Sequence, residues 1–356
     1  MYVAILAGAT HVLQNIFVYC SSGAEVAAFR TKWEHAARAL RKVALEVSTQ
    51  KTYASYKRSY LRFCELADYV PVPATPEMVC EYIAYLCDRL AYSSILKYLG
   101  IIRVLHLDVG LPDPKIWEEY EVKLALLAAK KCLGAGVKRR LPIGPELLMV
   151  MLSKLNMACT NDVVFWAICL VGFFGLLRIS NVIGPSKADF DTERHLSRAD
   201  FQELEDCMVL SLKWAKTNQA RERVVEVPIP KIQGSALCPV TAVKLAFSMT
   251  QSASKSGPAF LRCDKSGRLI PVQYQWFSRK LLGLVQACGL DKTQYGTHSL
   301  RRGGASWALK CGLSSEVVRI LGDWHSNAYM CYLEVSLEDK ANHMKVFAQA
   351  IRQVHV

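Results

Sequence analysis

The stretch THSLRRGGAS, residues 297–306, crowds a His, two Arg and two Gly into ten positions. Read as a helix, HSLRRGGASWAL sets His298 and Arg301 on one face, three residues apart. Gly303 and Gly304 each cost that helix about 1 kcal/mol relative to Ala. Glycines there make sense where another backbone or a ligand comes close. A capped helix start with a satisfied His and a surface Arg would explain any one such pair, so the surroundings decide.

Those surroundings are chemically selective. Arg178 closes the apolar run DVVFWAICLVGFFGLLRIS, residues 162–180. A charge ending a buried helix is costly unless an anion or carboxylate meets it. Lys216 follows a strand-like stretch in KWAKTN, and LGDWHSNAYMCYLE, residues 321–334, holds Trp324, His325, Tyr329 and Tyr332. Two guanidinium groups can clamp the non-bridging oxygens of a phosphodiester and neutralise its transition state. A Tyr can attack phosphorus, and a Lys or His can protonate the departing oxygen.

Charge points the same way. Lys and Arg number 44 against 31 Asp and Glu, a formal net charge of +13, which on a well-packed protein suggests a polyanionic partner. The hydrophobic content of 52% excludes a mainly disordered chain. Thirteen cysteines run from Cys20 to Cys331 without a CxxC pair, a pattern of reduced thiols rather than disulfides or structural zinc. HExxH and GxxxxGK[ST] motifs are absent, which weakens metalloprotease and P-loop readings. No metal or cofactor is expected.

Periodicity predicts a mainly α protein with a small sheet, an α+β fold. Residues 1–45 read as an extension of unknown role, the first twenty as a buried amphipathic helix in preference to a signal peptide or membrane anchor. Residues 46–131 read as a helical domain. In its first helix Tyr53, Tyr56, Tyr60 and Phe63 form a core stripe, and Lys51, Arg58 and Arg62 a basic face that is either solvated or phosphate-facing. Pro76 starts a second helix, Ser93 or Ser94 caps a third, and IWEEYEVKLALLAAKK, residues 116–131, makes a fourth. Residues 132–145 read as a basic interdomain linker, with Lys138, Arg139 and Arg140 suited to phosphate-backbone contact or simply to solvent. Residues 146–356 read as an α-rich domain. In it Met208, Leu210, Leu212, Val225 and Val227 mark a β-hairpin, and the apolar run at 162–180 is a buried central helix rather than a membrane span.

Taken together, GLLRIS, KWAKTN, HSLRR and AYMCYLE resemble the motifs of the tyrosine recombinases, the phage-integrase family. The run at 298–334 is especially similar to the recombinases of DIRS-type and Crypton-type mobile elements. The resemblance covers residues from about Ser48 almost to the C-terminus and implies a core-binding domain followed by a catalytic domain. It implies that Arg178, Lys216, His298, Arg301, Trp324 and Tyr332 are catalytic, with Lys213 a substitute for Lys216. It implies a 3′-phosphotyrosyl intermediate without metal or ATP.

Two positions depart from the family pattern. Asn181 stands where an acid is usual, and the family spacing back from Tyr332 falls on Asp323, which cannot donate when ionised. Trp324 is preferred for that position, with His325 second. Tyr329 rivals Tyr332 as nucleophile, and only family spacing separates them. The resemblance further implies duplex DNA as partner, a homotetramer and an intracellular location, nuclear in a eukaryote and otherwise cytoplasmic. The tetramer would be linked by the C-terminal stripe Met344, Phe347, Ala350, Ile351 and Val354, which could equally fold back on its own subunit. A type IB topoisomerase, an inactive domesticated DNA-binding protein and an RNA-binding or scaffolding protein are the competing readings.

Overall fold

A computed structural model describes residues 23–134, 140–184, 189–214, 223–251 and 253–324, together with 341, 344, 345 and 348. The chain divides into two compact units, Met1–Val137 and Lys138–Val356.

The first unit contains α1 (Gly23–Val43), α2 (Val47–Leu66), α3 (Pro76–Cys87), α4 (Tyr92–Asp108) and α5 (Tyr120–Leu133). On α2, Tyr60 and Phe63 are buried and Tyr53 and Tyr56 lie partly buried against the same cluster, so the aromatic stripe is core. The Tyr60 hydroxyl donates to the Pro71 carbonyl at 2.9 Å, and the Tyr82 hydroxyl to Ser59 Oγ at 3.1 Å. Burial raises both phenol pKa values. Pro76 opens α3 behind Thr75, whose side chain accepts from the Met78 N–H.

Two local expectations are corrected. The cap of α4 is Ala91, without a side-chain bond, and Ser93 and Ser94 sit inside the first turn. The Ala91 carbonyl accepts from Ser94 and Ile95, so the backbone alone starts the helix. The stretch at 116–131 is not one helix. Lys115 takes a left-handed φ of 46°, Ile116–Glu118 forms a 3-10 turn pinned by buried Ile116, and Glu119 is extended before α5.

The second unit is built on α7 (Thr160–Phe174), in which every residue from Val163 to Phe173 is buried. Fifteen residues rise about 22 Å, and among the described residues no helix is long and apolar enough to cross a membrane. Around it lie α6 (Pro145–Leu152), α8 (Ile179–Val182), α9 (Pro239–Ser248), α10 (Tyr274–Ala287), α11 (His298–Lys310) and α12 (Ser315–Leu321). Strands β1 (Phe201–Glu203), β2 (Cys207–Leu212) and β3 (Val225–Pro230) form an antiparallel sheet, with Leu210 opposite Val227 and Leu212 opposite Val225. Met208, Leu210, Leu212, Val227 and Ile229 are its buried face, as alternation requires. Strands β4 (Leu261–Cys263) and β5 (Leu269–Pro271) make a separate pair.

The basic stretch at 132–145 is not a continuous linker. Helix α5 runs on to Leu133, and from Arg140 the chain is part of the second unit. Leu141 N–H donates to Gln294 O at 2.7 Å and Ile143 N–H to Ser299 O at 2.9 Å, and the Ile143 side chain is fully buried. Arg302, also buried, donates to the Arg140 carbonyl at 2.8 Å.

This crossing accounts for the first of the two glycines of α11, and the end of α7 for the second. A Cβ on Gly303 would lie 1.8 Å from the Ile143 carbonyl oxygen, and one on Gly304 2.0 Å from that of Phe173. Both glycines make room for backbone.

Candidate active site

Arg178 does not end the central helix. Helix α7 stops at Phe174, Leu176 turns the chain through a φ of 48°, and Arg178 caps the four-residue α8 in extended conformation. This break lifts Arg178 out of the core to a half-buried position. There it lines a narrow cleft with Asn181, Arg301 and Asp323, over Leu212, Val225 and Val227 of the sheet. Guanidiniums over a hundred residues apart in sequence thus share one cleft.

Arg301 is only 2% exposed. Its Nη2 donates to the Gly322 carbonyl at 2.8 Å, and its guanidinium carbon sits 4.0 Å from the centre of the Trp324 ring. A carbonyl and a π face thereby make a buried cation tolerable while its planar fork stays oriented. Trp324 is buried against Leu176, Ala305 and Val318. Gly322 is required beneath it, since a Cβ there would come within 1.7 Å of the indole. Trp324 therefore braces Arg301 from a packed position. Asp323, at φ 50°, points its carboxylate to Arg223 in an ion pair.

His298 is the exposed first residue of α11, one turn before Arg301. Thr297, just before it, is buried with its hydroxyl 2.8 Å from that of Tyr274. Lys213 is already engaged: its Nζ is 3.0 Å from Asp200 Oδ1 and donates to the Thr192 carbonyl at 3.1 Å. Asp200 Oδ2 also accepts from the Ser197 N–H and hydroxyl, so this pair braces the loop that leads into β1. Lys216, His325, Tyr329 and Tyr332 lie outside the described residues, as do Lys138 and Arg139.

In the first unit, Lys51, Arg58 and Arg62 are exposed on α2, with Arg62 2.7 Å from Glu65. Arg140 is exposed and donates to the Thr293 carbonyl. Of the candidates, Arg178 and Arg301 are brought into one cleft, with His298 on the helix that carries Arg301 and Trp324 behind it. Sequence reading missed Arg223, which lies two residues before β3. It also missed the burial of Arg302, whose signal was a second Arg beside a Gly-Gly pair. Among the described residues no three His, Cys, Asp or Glu side chains are grouped to hold a metal.

No protein-family model matches the chain. An integrase/recombinase XerD homologue of Selenomonas ruminantium is 23% identical over 269 residues, 73% of each chain. The recombinase Cre of Escherichia phage P1 is 40% identical over 67 residues, 18% of this chain and 20% of Cre. The fold is similar to that of the XerH site-specific recombinase in a post-cleavage complex with palindromic difH substrate. That likeness has a TM-score of 0.55 and 14% identity, and covers 88% of this chain and 83% of the other. It is similar too to a lambda integrase dimer bound to a COC′ core site, with a TM-score of 0.52 and 14% identity, over 94% and 86% of the two chains. At such identities the superpositions speak for the fold.

Proposed function

We propose that the chain is a tyrosine recombinase of the integrase family and that it cuts and rejoins duplex DNA at the Arg178–Arg301 cleft, a reading supported by its likeness to the XerD homologue and to Cre and by the shared fold. The observation that carries this reading is the convergence of these two guanidiniums beside the end of the β2–β3 hairpin. Two cationic residues lining one cleft suit a phosphodiester whose charge grows in the transition state.

In the proposed reaction the Tyr332 phenol oxygen attacks the scissile phosphorus, and the bond to the 5′-oxygen breaks. A 3′-phosphotyrosyl bond and a free 5′-hydroxyl result. A free Tyr has a pKa near 10, so the field of Arg178 and Arg301, with His298 as hydrogen-bond partner, assists loss of the phenol proton. Lys216 protonates the 5′-oxygen. Leu212 and Val225, which flank the connection carrying Lys216, both line the cleft. The second step reverses the first with a different 5′-hydroxyl. Phosphodiester energy is kept in the covalent bond, so the chemistry asks for neither ATP nor a metal.

The partner is double-stranded DNA, and Lys51, Arg58, Arg62 and the basic stretch at 138–140 supply backbone contacts. Assembly as a tetramer runs through the C-terminal segment, of which Met344 is helical and exposed. The resemblance to DIRS-type and Crypton-type recombinases makes the ends of a mobile element the substrate.

The test is incubation with nicked suicide duplexes taken from DNA flanking the coding sequence. A covalent protein–DNA adduct is expected, lost in Tyr332→Phe and kept in Tyr329→Phe. The opposite pattern reassigns the nucleophile, and chelator-sensitive cleavage sinks the mechanism. A second reading, an inactive DNA-binding descendant, is favoured by the Asp323 carboxylate in the cleft. DNA binding without any adduct would establish it.

A further inference from the structure

We propose that a pocket beside the cleft, walled by Ser180, Asn181, Arg194, His195, Trp214 and Tyr274, is a second phosphate site. It would take the phosphodiester next to the scissile one on the cleaved strand. This rests on the phosphoryl-transfer reading above. Asn181 lines both spaces, so the pocket adjoins the cleft.

The pocket is furnished with donors. The Arg194 guanidinium carbon lies 5.0 Å from the centre of the Trp214 ring, a stack that holds the fork in place. Trp214 Nε1–H is buried and has no hydrogen-bond partner among the described residues. A buried donor left bare costs about 1–3 kcal/mol, a cost that an anionic oxygen removes. His195 accepts the Asp191 N–H at Nδ1, 2.9 Å away, so its neutral ring carries the proton on Nε2. Burial lowers the His195 pKa, which favours that neutral donor form.

The adjoining pocket, which shares Asn181, Arg194, His195 and Trp214, contains the carboxylate of Asp200. Lys213 and Ser197 already satisfy that carboxylate. An acceptor-only, singly charged phosphodiester matches this lining. Tyr274 joins the pocket to the active helix, because its hydroxyl meets Thr297 immediately before His298. A phosphate seated here would set the register of the strand across the cleft.

The test pairs protein and DNA changes in a cycle. Suicide duplexes carry one neutral methylphosphonate at each position within three nucleotides of the cleavage site. Adduct formation at limiting protein is compared for wild type, Arg194→Ala, Arg194→Lys and Trp214→Phe. On unmodified DNA, Arg194→Ala is expected to slow adduct formation about tenfold, as for one charge-assisted contact, and the other two variants less. At one methylphosphonate position that penalty should vanish, because the partner charge is already gone.

A penalty of equal size at every position, or none on unmodified DNA, overturns the proposal. If wild type forms no adduct, the cleavage reading fails separately. The same cycle read by equilibrium DNA binding then decides the pocket, with loss of about one unit of salt slope in Arg194→Ala expected and an unchanged slope refuting it.

Discussion

Helices α2 and α11 both carry several basic residues, and they use them in opposite ways. On α2, Lys51, Arg58 and Arg62 stand in solvent over an aromatic core, where the helix needs nothing from them. On α11, Arg301 and Arg302 are 2% and 4% exposed, each held by a carbonyl of another segment. An exposed cation attracts any polyanion, weakly and with steep salt dependence. A buried one has a fixed direction, because its neighbours leave it no other place to go. On the proposed reading, the difference separates residues that would hold DNA from residues that would organise chemistry on it.

The comparison breaks most sharply at Arg301. Arg301→Ala is expected to lower the rate of adduct formation by about a hundred- to a thousandfold, the usual loss for one transition-state donor. Arg301→Lys should also be severe, since an ammonium reproduces neither the fork nor the Trp324 stack. Rapid-quench kinetics at saturating DNA measures both. A loss under tenfold for Arg301→Ala would mean that the buried cation is only structural.

Next comes the backbone crossing that seats α11. Gly303→Ala would drive a methyl into the Ile143 carbonyl. Such overpacking costs about 1–3 kcal/mol, visible as a lowered midpoint in urea. An unchanged midpoint would show that residues 140–143 yield freely. Smallest is the effect of the exposed face. Arg58→Ala with Arg62→Ala should weaken binding to all DNA sequences alike and reduce the salt slope by about two units. Adduct formation at saturating DNA should stay within about twofold of wild type, and a larger fall would place α2 nearer the chemistry than its exposure suggests.

Much of this was legible in the one-dimensional pattern. The stripe Tyr53, Tyr56, Tyr60 and Phe63 predicts its own burial, because a helix repeats its faces every 3.6 residues. Met208, Leu210 and Leu212 predict their strand by alternation. The motif resemblance picked out Arg178 and Arg301, which share a cleft. Where the reading failed, the local pattern was too uniform or too short to mark a boundary. Helix α7 looked as though it ran to Arg178, because Leu176 and Leu177 continue its apolar character, yet the backbone turns at Leu176. Strands β1, β4 and β5 are three residues each, too short to show a period.

By itself, then, the sequence determined the helical and alternating faces, the excess of positive charge and the side chains on which the proposed phosphoryl transfer draws. These are local properties, carried by spacing and composition. Only the tertiary structure decided that Gly303 and Gly304 serve backbone and not ligand, that Arg302 holds residue 140, and that Trp324 braces Arg301. Each depends on which segment arrives from more than twenty residues away or folds back across a turn, and close packing admits one such arrangement where periodicity admits many.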